Sequence, residues 1–362
     1  MSARVTRKRA RTSSVVDDSD TQDHATQGEI QPPAESVART RDEEFWSSEG
    51  DIILVARDVE FRVYKGLLAD HSPVFRDMFS LPQPSAPSLT AAPAEILCPV
   101  VHLSDSPEDL RHMLRVYMPR GGPNAFFHKD PDYSYHTISA AVRLGHKYQM
   151  LDLLDNALGY LKAYYPTDYD DWDDLDDYGP PGFEMEHAIG VVNLARLTDD
   201  VRLLLMALLA CCITLDAKTL IRGFEREDGS LEQLTLDDIG LCYAAQGTLL
   251  QHSMKVTLRV CRSGQVAGAC KTHSSCTRRF GEAIRELEDP KATVAHVDPC
   301  TRASPIDNLL ERKGSSGVRL CGHCRKMVEE RDSLETRAAW KKLPEIFGLT
   351  LPPAPGSEAG QA

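Results

Sequence analysis

The chain has no apolar run long enough to cross a bilayer. Its longest, Val201–Leu215 (VRLLLMALLACCITL), carries Arg202 and falls short of the ~20 residues a spanning helix needs. It therefore reads as a core helix. No apolar stretch follows the basic residues of MSARVTRKRARTSS, as a secretory leader would require. A soluble protein of the cytoplasm or nucleus is expected, with its ten cysteines held as thiols or metal ligands. Aromatic residues are scarce at 7%, so the 42% of hydrophobic residues should pack mainly as Leu-, Val- and Ala-rich helices. Positive charge is in short supply too. A formal net charge of −13 weighs against general nucleic-acid binding, which needs cations to neutralise phosphates. The chain also lacks a phosphate-cradling glycine loop, an H-E-x-x-H and a G-x-S-x-G. Nothing local identifies a general acid–base pair, and the expectation is a protein without catalytic activity.

What is present begins at Asp51. Two short apolar runs, Ile52–Val55 and the alternating Val59–Val63, flank Arg57-Asp58 and give the period of a β-hairpin with one buried face. The period then becomes helical, with Leu67, Leu68, His71, Val74, Phe75, Met78 and Phe79 at three- and four-residue steps. Four prolines in Leu81–Glu95 exclude regular structure and imply a mobile surface loop. Pro99–Leu103 reads as a strand, and Ser104-Asp105-Ser106-Pro107-Glu108 as a helix start. Leu110, Met113, Leu114 and Tyr117 give that helix its apolar face. After the break Pro119-Arg120-Gly121-Gly122-Pro123, helices are expected from Tyr135 to about Met150 and over Leu151–Tyr164. This order resembles a BTB/POZ domain, a small β-sheet flanked by helices. The resemblance is carried by Asp51, Ile52, Phe61, Val63, Lys65, Leu68, Ser72, Pro73, Phe75, Met78 and Phe79. It implies a non-catalytic protein–protein interaction module with protein partners and, in many members, homodimerisation.

The implied class is α+β, a BTB/POZ domain followed by a mainly α-helical second domain. Residues 1–44 read as a disordered tail and 45–165 as the BTB/POZ domain. Residues 166–182 read as an acidic linker, 183–349 as the helical domain and 350–362 as a second disordered tail. In the first tail Arg4, Arg7, Lys8, Arg9 and Arg11 form a basic cluster suited to nuclear import or to simple solvation. In the linker, seven aspartates crowd Asp168–Tyr178 (DYDDWDDLDDY), and their repulsion should keep it extended. Its aromatics leave an acidic docking segment open as a second reading. From Glu184 to about Val260 the periodicity is helical. Helices are expected over Val201–Ile213, from about Ala217 to Phe224 and from Leu236 to Val260. Asp216, and either Thr235 or Asp237, are the expected helix starts.

Six of the ten cysteines fall between Cys261 and Cys324. Cys321-Gly322-His323-Cys324 is a C-x2-C, whose two thiolates can fill adjacent corners of a tetrahedral zinc site. Cys270 and Cys276 are the candidates for the other two corners, with His273, Cys300 and His323 as substitutes. Forty-four residues separate Cys276 from Cys321, so a structural zinc would staple a long excursion. The alternatives are unconnected thiols or a thiol or metal enzyme centred on Cys321–Cys324, since CGHC also occurs in disulfide exchangers. Only 38 residues follow Cys324, too few to complete such a fold. Cys211, Cys212 and Cys242 lie in apolar helical patterns and read as core. Lys255, Arg259, Arg262, Lys271, Arg278 and Arg279 form the one basic cluster in the ordered part, without a recognisable reading helix. At the far end Trp340, Leu343, Ile346, Phe347 and Leu349 should dock a last helix. The helical middle, paired cysteines and this end together resemble the C-terminal half of a set of fungal BTB proteins. Two functions follow from the resemblance. One is a substrate adaptor joining a cullin-type ubiquitin ligase to its target. The other is a self-associating scaffold or nuclear transcriptional regulator.

Overall fold

The alternating residues of the opening hairpin decide the first pairing. β2 (Ile52–Ala56) and β3 (Val59–Val63) run antiparallel, with Ile52 opposite Val63, Leu54 opposite Phe61 and Ala56 opposite Val59. They occupy alternate positions of each strand and so share one face of the sheet, and all but Val59 are buried. The computed structural model describes residues 39–81, 98–118, 132–262 and 265–352. The expected mobile loop, the Gly/Pro break, the basic cluster and the second tail lie largely or wholly outside the described residues. β4 (Val100–Leu103) adds parallel to β2.

The fourth strand corrects the sequence reading. Residues 40–44, assigned to the tail, belong to β1 (Thr40–Trp46), which lies parallel to β3 and completes the order β1-β3-β2-β4. Only Phe45 and Trp46 of TRDEEFW are apolar, so alternation gave no signal. Polar contacts hold it instead. The buried Asp42 accepts from the backbone N–H groups of Glu44 and Phe45 at 3.0 and 2.7 Å, and from Arg111 Nε at 2.7 Å.

Five helices cover this sheet: α1 (Lys65–His71), α2 (Pro73–Ser80), α3 (Pro107–Tyr117), α4 (Tyr135–Lys147) and α5 (Leu151–Tyr164). Ser72 is the joint between two of the pairs. Its Oγ accepts from Phe75 N at 3.0 Å to cap α2 and donates to Tyr148 O at 2.6 Å, at the α4–α5 corner. Phe75 stacks on Tyr148 at 4.2 Å. Ser106 caps α3 in the same way, with Pro107 as its first residue.

The acidic segment does not stay extended. Tyr169–Asp173 forms α6, capped by Asp168, and Trp172 is buried. Tyr169 and Trp172 pack against Trp340, whose Nε1 donates to Thr167 O at 3.0 Å. Arg337 grips Asp170 with both terminal nitrogens and stacks over Tyr169 at 4.5 Å. Repulsion among the aspartates is thus outweighed by aromatic burial and by a cation 167 residues away in sequence. The aromatics are spent inside the molecule rather than offered to a partner.

α7 (His187–Leu197) and α8 (Val201–Thr214) form an antiparallel pair, with α7 against α4. A Cβ on Gly190 of α7 would sit 1.8 Å from Tyr135 Oη, so only glycine lets the two helices approach this closely. α9 (Ala217–Arg222) and α10 (Leu236–Arg262) start at Asp216 and Thr235, whose side chains accept from Thr219 N and Asp238 N. Between them the structure departs from the helical expectation. Phe224–Glu225 (β5) and Leu231–Glu232 (β6) form a hairpin.

That hairpin is a charged plug in the first half of the chain. Arg226 donates to both oxygens of Asp109 at 2.8 and 2.9 Å and lies 3.6 Å from Glu232. Glu232 is 6% exposed and accepts from Arg143 at 2.6 and 2.8 Å and from Asn193. Asp228 pairs with Arg57 at 2.6 Å and Glu227 with His112 at 2.8 Å. One hydrophobic core accordingly runs from Phe45 through the α7–α8 pair to Trp340, Leu343 and Phe347. The last two bracket the short α14 (Leu343–Ile346). A second, smaller core is built on α11 (His273–Glu286), α12 (Ser304–Glu311) and α13 (Gly322–Trp340) with the end of α10. No helix among the described residues is long and apolar enough to cross a membrane.

Glu232→Ala leaves Arg143 and Arg226 without their shared partner, and urea denaturation should register a loss of about 3–5 kcal/mol. The half-exposed Arg115–Glu44 pair provides the contrast, since Arg115→Ala should cost less than about 1 kcal/mol. A Glu232→Ala loss as small as that would mean the plug does not hold the halves together.

His187 gives a pH dependence. It stacks on Tyr135 at 4.3 Å, and burial, assisted by His136, lowers its pKa from 6.5 to about 4. Between those values the unfolded chain binds the proton and the folded chain does not, so stability is complete above about 6.5 and falls as pH drops towards 4. Denaturation midpoints of the parent chain should fall more steeply across this window than those of His187→Phe. Parallel slopes would show that His187 titrates normally.

Candidate metal centre and interaction surface

The residues that carry the family resemblance mostly build the scaffold. Phe61, Val63, Leu68, Ser72 and Phe75 are fully buried, and Met78 and Phe79 pack half-buried against the same core. Asp51 accepts from Lys65 N at 2.7 Å and closes the corner between β2 and α1, while Pro73 opens α2. A partner would meet other side chains. His71, Pro73, Tyr117, Gln149 and Leu151 line an open pocket where α1, α2, α3 and α5 meet, with Asp70 and Asp152 at its edge. Leu151 is 67% exposed there, an apolar side chain with nothing to bury against.

The four cysteines chosen from spacing converge. Cys270 lies in a turn closed by its N–H to Ala267 O at 2.8 Å, and Cys276 lies in the first turn of α11. Cys321 is the N-cap of α13 and Cys324 sits in that helix's first turn. Both pairs therefore place one thiol just before a helix and one just inside it. The four sulfurs lie within 4.8 Å of one another. Sulfur ligands at about 2.3 Å from a tetrahedral ion stand roughly 3.8 Å apart, so the set can hold a metal ion. Cys321 and Cys270 are 3.6 Å apart, far beyond a bonded pair, and none of the cysteines forms a disulfide.

Backbone and hydroxyl groups support the sulfurs. Cys321 N donates to Cys276 Sγ and Ala267 N to Cys324 Sγ, each at 3.4 Å, while Thr272 Oγ1 is 3.3 Å from Cys276 Sγ. Such N–H···S contacts are the outer contacts that orient thiolate ligands. They could not be read from the sequence, because each joins residues brought together only by the fold. A hydrogen bond from Cys324 N and the neighbouring thiols lower the Cys321 pKa to about 6. Burial raises that of Cys324 to about 12. Sulfurs this close cannot all ionise unless a cation lies among them.

The substitute ligands stay outside. His273 and His323 are exposed, and Cys300 packs on the main core. Cys261 belongs to the small core but not to the four-sulfur set, and burial raises its pKa to about 12. Cys211, Cys212 and Cys242 are buried core residues, as expected. CGHC opens a helix packed on α10 and α12 and faces two further thiols, a different setting from the isolated pair of a disulfide exchanger. Within the basic cluster Arg279 is fully buried against Glu286 and Arg259 pairs with Glu335, while Lys255, Lys271 and Arg278 are exposed.

No curated protein matches the chain. Residues 42–163, about a third of the 362, match the family model of the BTB/POZ domain. The match starts at Asp42 within β1 and ends within α5, enclosing the sheet and helices α1 to α5. BTB domains are generally non-catalytic interaction modules. Residues 42–163 of this chain are a BTB/POZ domain.

Proposed function

We propose that the chain is a non-catalytic adaptor whose BTB/POZ domain binds one protein while its helical half presents another. The observation that carries this reading is the BTB/POZ domain itself, fastened by the Arg226–Glu232 plug to a body with a further lobe beyond residue 260. The finer form is a substrate adaptor for a cullin-type ubiquitin ligase. Leu151, Tyr117 and His71 supply an apolar anchor site, and Asp70 and Asp152 an acidic edge suited to a basic partner segment.

The same reading assigns structural zinc to Cys270, Cys276, Cys321 and Cys324. Four protein sulfurs fill a tetrahedral shell and leave no position for substrate, which favours a structural ion over a catalytic one. The small core supports this. Four of its eleven buried residues are cysteines, so it has little apolar surface to hold α11, α12 and α13 together without a cross-link.

Affinity purification of the tagged protein from its native cells tests the adaptor. A cullin and its RING partner should be recovered, and Leu151→Asp should abolish that recovery while leaving the fold intact. Recovery of copies of the chain or nuclear proteins alone would replace the adaptor with a self-associating scaffold or nuclear regulator.

Metal analysis of the purified protein should find one zinc per chain, lost in Cys324→Ser. Chelation should speed hydrogen exchange across residues 266–338 and leave residues 42–163 unchanged. A metal-free protein, or exchange indifferent to the chelator, would rule the zinc out.

A further inference from the structure

α10 is backed by both cores along one side. Cys242, Ala245 and Leu249 face the main core and Val260 the small one, while Cys261, about five turns beyond Tyr243, shows that the small core closes over the far end of the other side. The opposite side carries Leu236, Tyr243, Leu250, Met254 and Leu258, exposed at 86, 81, 39, 46 and 40%. Gly240 and Gly247 lie between them. Positions 236, 240, 243, 247, 250 and 254 follow steps of four and three, the spacing of a coiled-coil seam. With 3.6 residues per turn they fall in a strip roughly 80° wide. Exposed glycines inside a helix cost stability, so their place in this strip calls for a reason.

We infer that a second copy of this chain covers the strip, with the two α10 helices antiparallel. In the register that sets Gly240 opposite the second copy's Leu250, Gly247 falls opposite its Tyr243 and Leu236 opposite its Met254. Each glycine is then a recess for a large side chain, and the overlap of residues 236–254 is roughly 28 Å long. Charge favours the same pairing. Exposed Asp237 stands at one end of the helix, and exposed Lys255 and Arg259 at the other, with no acidic residue between Gly247 and Arg262. Arg259 is engaged by Glu335, which leaves Lys255 to meet the second copy's Asp237. A parallel pair would set like charges side by side. The helix dipole alone would account for the charges at the ends, but not for the matched alternation of small and large residues. The contact is two-fold symmetric and closes at two copies. It needs neither the adaptor role nor the BTB/POZ surface, so its failure would leave both standing.

Sedimentation of the zinc-loaded full chain provides the test. Nothing lies within 4 Å of a Cβ built on Gly240 or Gly247, so Gly247→Leu leaves the single chain unstrained. It should weaken association about tenfold or more by filling the recess for Tyr243. Asp237→Lys should weaken it as well, and Asp237→Lys with Lys255→Asp should restore it. If the BTB/POZ domain also joins copies, the parent assembly is larger than a pair and Gly247→Leu reduces it to two. A monomeric parent chain, or an assembly whose mass ignores Gly247→Leu and Leu250→Asp alike, would overturn the inference. Either result would give the strip to a segment of the same chain or to another protein.

Discussion

Glu232 holds the molecule's architecture. Its carboxylate is buried at the meeting point of Arg143 from α4, Arg226 from β5–β6 and Asn193 from α7. It therefore touches the BTB/POZ domain, the hairpin plug and the helical half at once. Arg226 extends the network to Asp109 on α3. Buried ion clusters of this kind contribute little net stability against a well-packed apolar substitute, because desolvation cancels most of the attraction. Their effect is on specificity. An apolar contact between α4 and α7 could slide, whereas a carboxylate that must satisfy three donors permits one arrangement. A partner held by the BTB/POZ domain is thereby kept at a fixed offset from whatever the second half presents.

The cores divide the molecule in a different place from the composition. The acidic, glycine- and proline-rich stretch near residue 170 resembles a domain boundary, yet it is folded onto α13 through Trp172, Trp340 and the Arg337–Asp170 pair. The real change comes near Val260, where α10 passes from one core to the other. The lobe beyond it draws on four helices but buries few large apolar residues, and its thiols converge where other proteins would place leucine. A metal ion at that point would supply through coordination what the lobe lacks in buried area.

What could be read from the sequence depends on how local each signal was. The β2–β3 hairpin, the α1–α2 pair and the starts of α3, α9 and α10 are encoded by neighbours within four residues, and they appear where expected. The four sulfurs were legible because C-x2-C carries its own geometry, and because residues between Cys276 and Cys321 offered few other thiols. β1 was missed because its partner β3 lies beyond another strand and its burial depends on Asp42 and Arg111, not on alternation. The β5–β6 hairpin was missed because two-residue strands leave no period, and its purpose is visible only in Asp109, His112, Arg57 and Arg143 on the other half. In the acidic segment the local signal pointed the wrong way, since the cation that neutralises Asp170 is far along the chain.

The same contrast separates what makes residues 42–163 a BTB/POZ domain from what makes the chain act on particular partners. The resemblance rests on residues such as Phe61, Leu68, Ser72 and Phe75, which are internal and would be shared by modules with unrelated partners. Individual function must therefore lie in exposed side chains that no motif records. Two such sets stand out, the pocket around Leu151 and the strip along α10. They sit on opposite sides of the Glu232 joint in sequence, and one continuous hydrophobic core runs beneath both parts. α10 in turn bridges both cores, so two copies paired along it would join their main bodies and their cysteine lobes together. Such a pair would present two Leu151 pockets and two cysteine lobes in a fixed relation, and a target offering two matching segments would gain from that geometry what neither pocket provides alone.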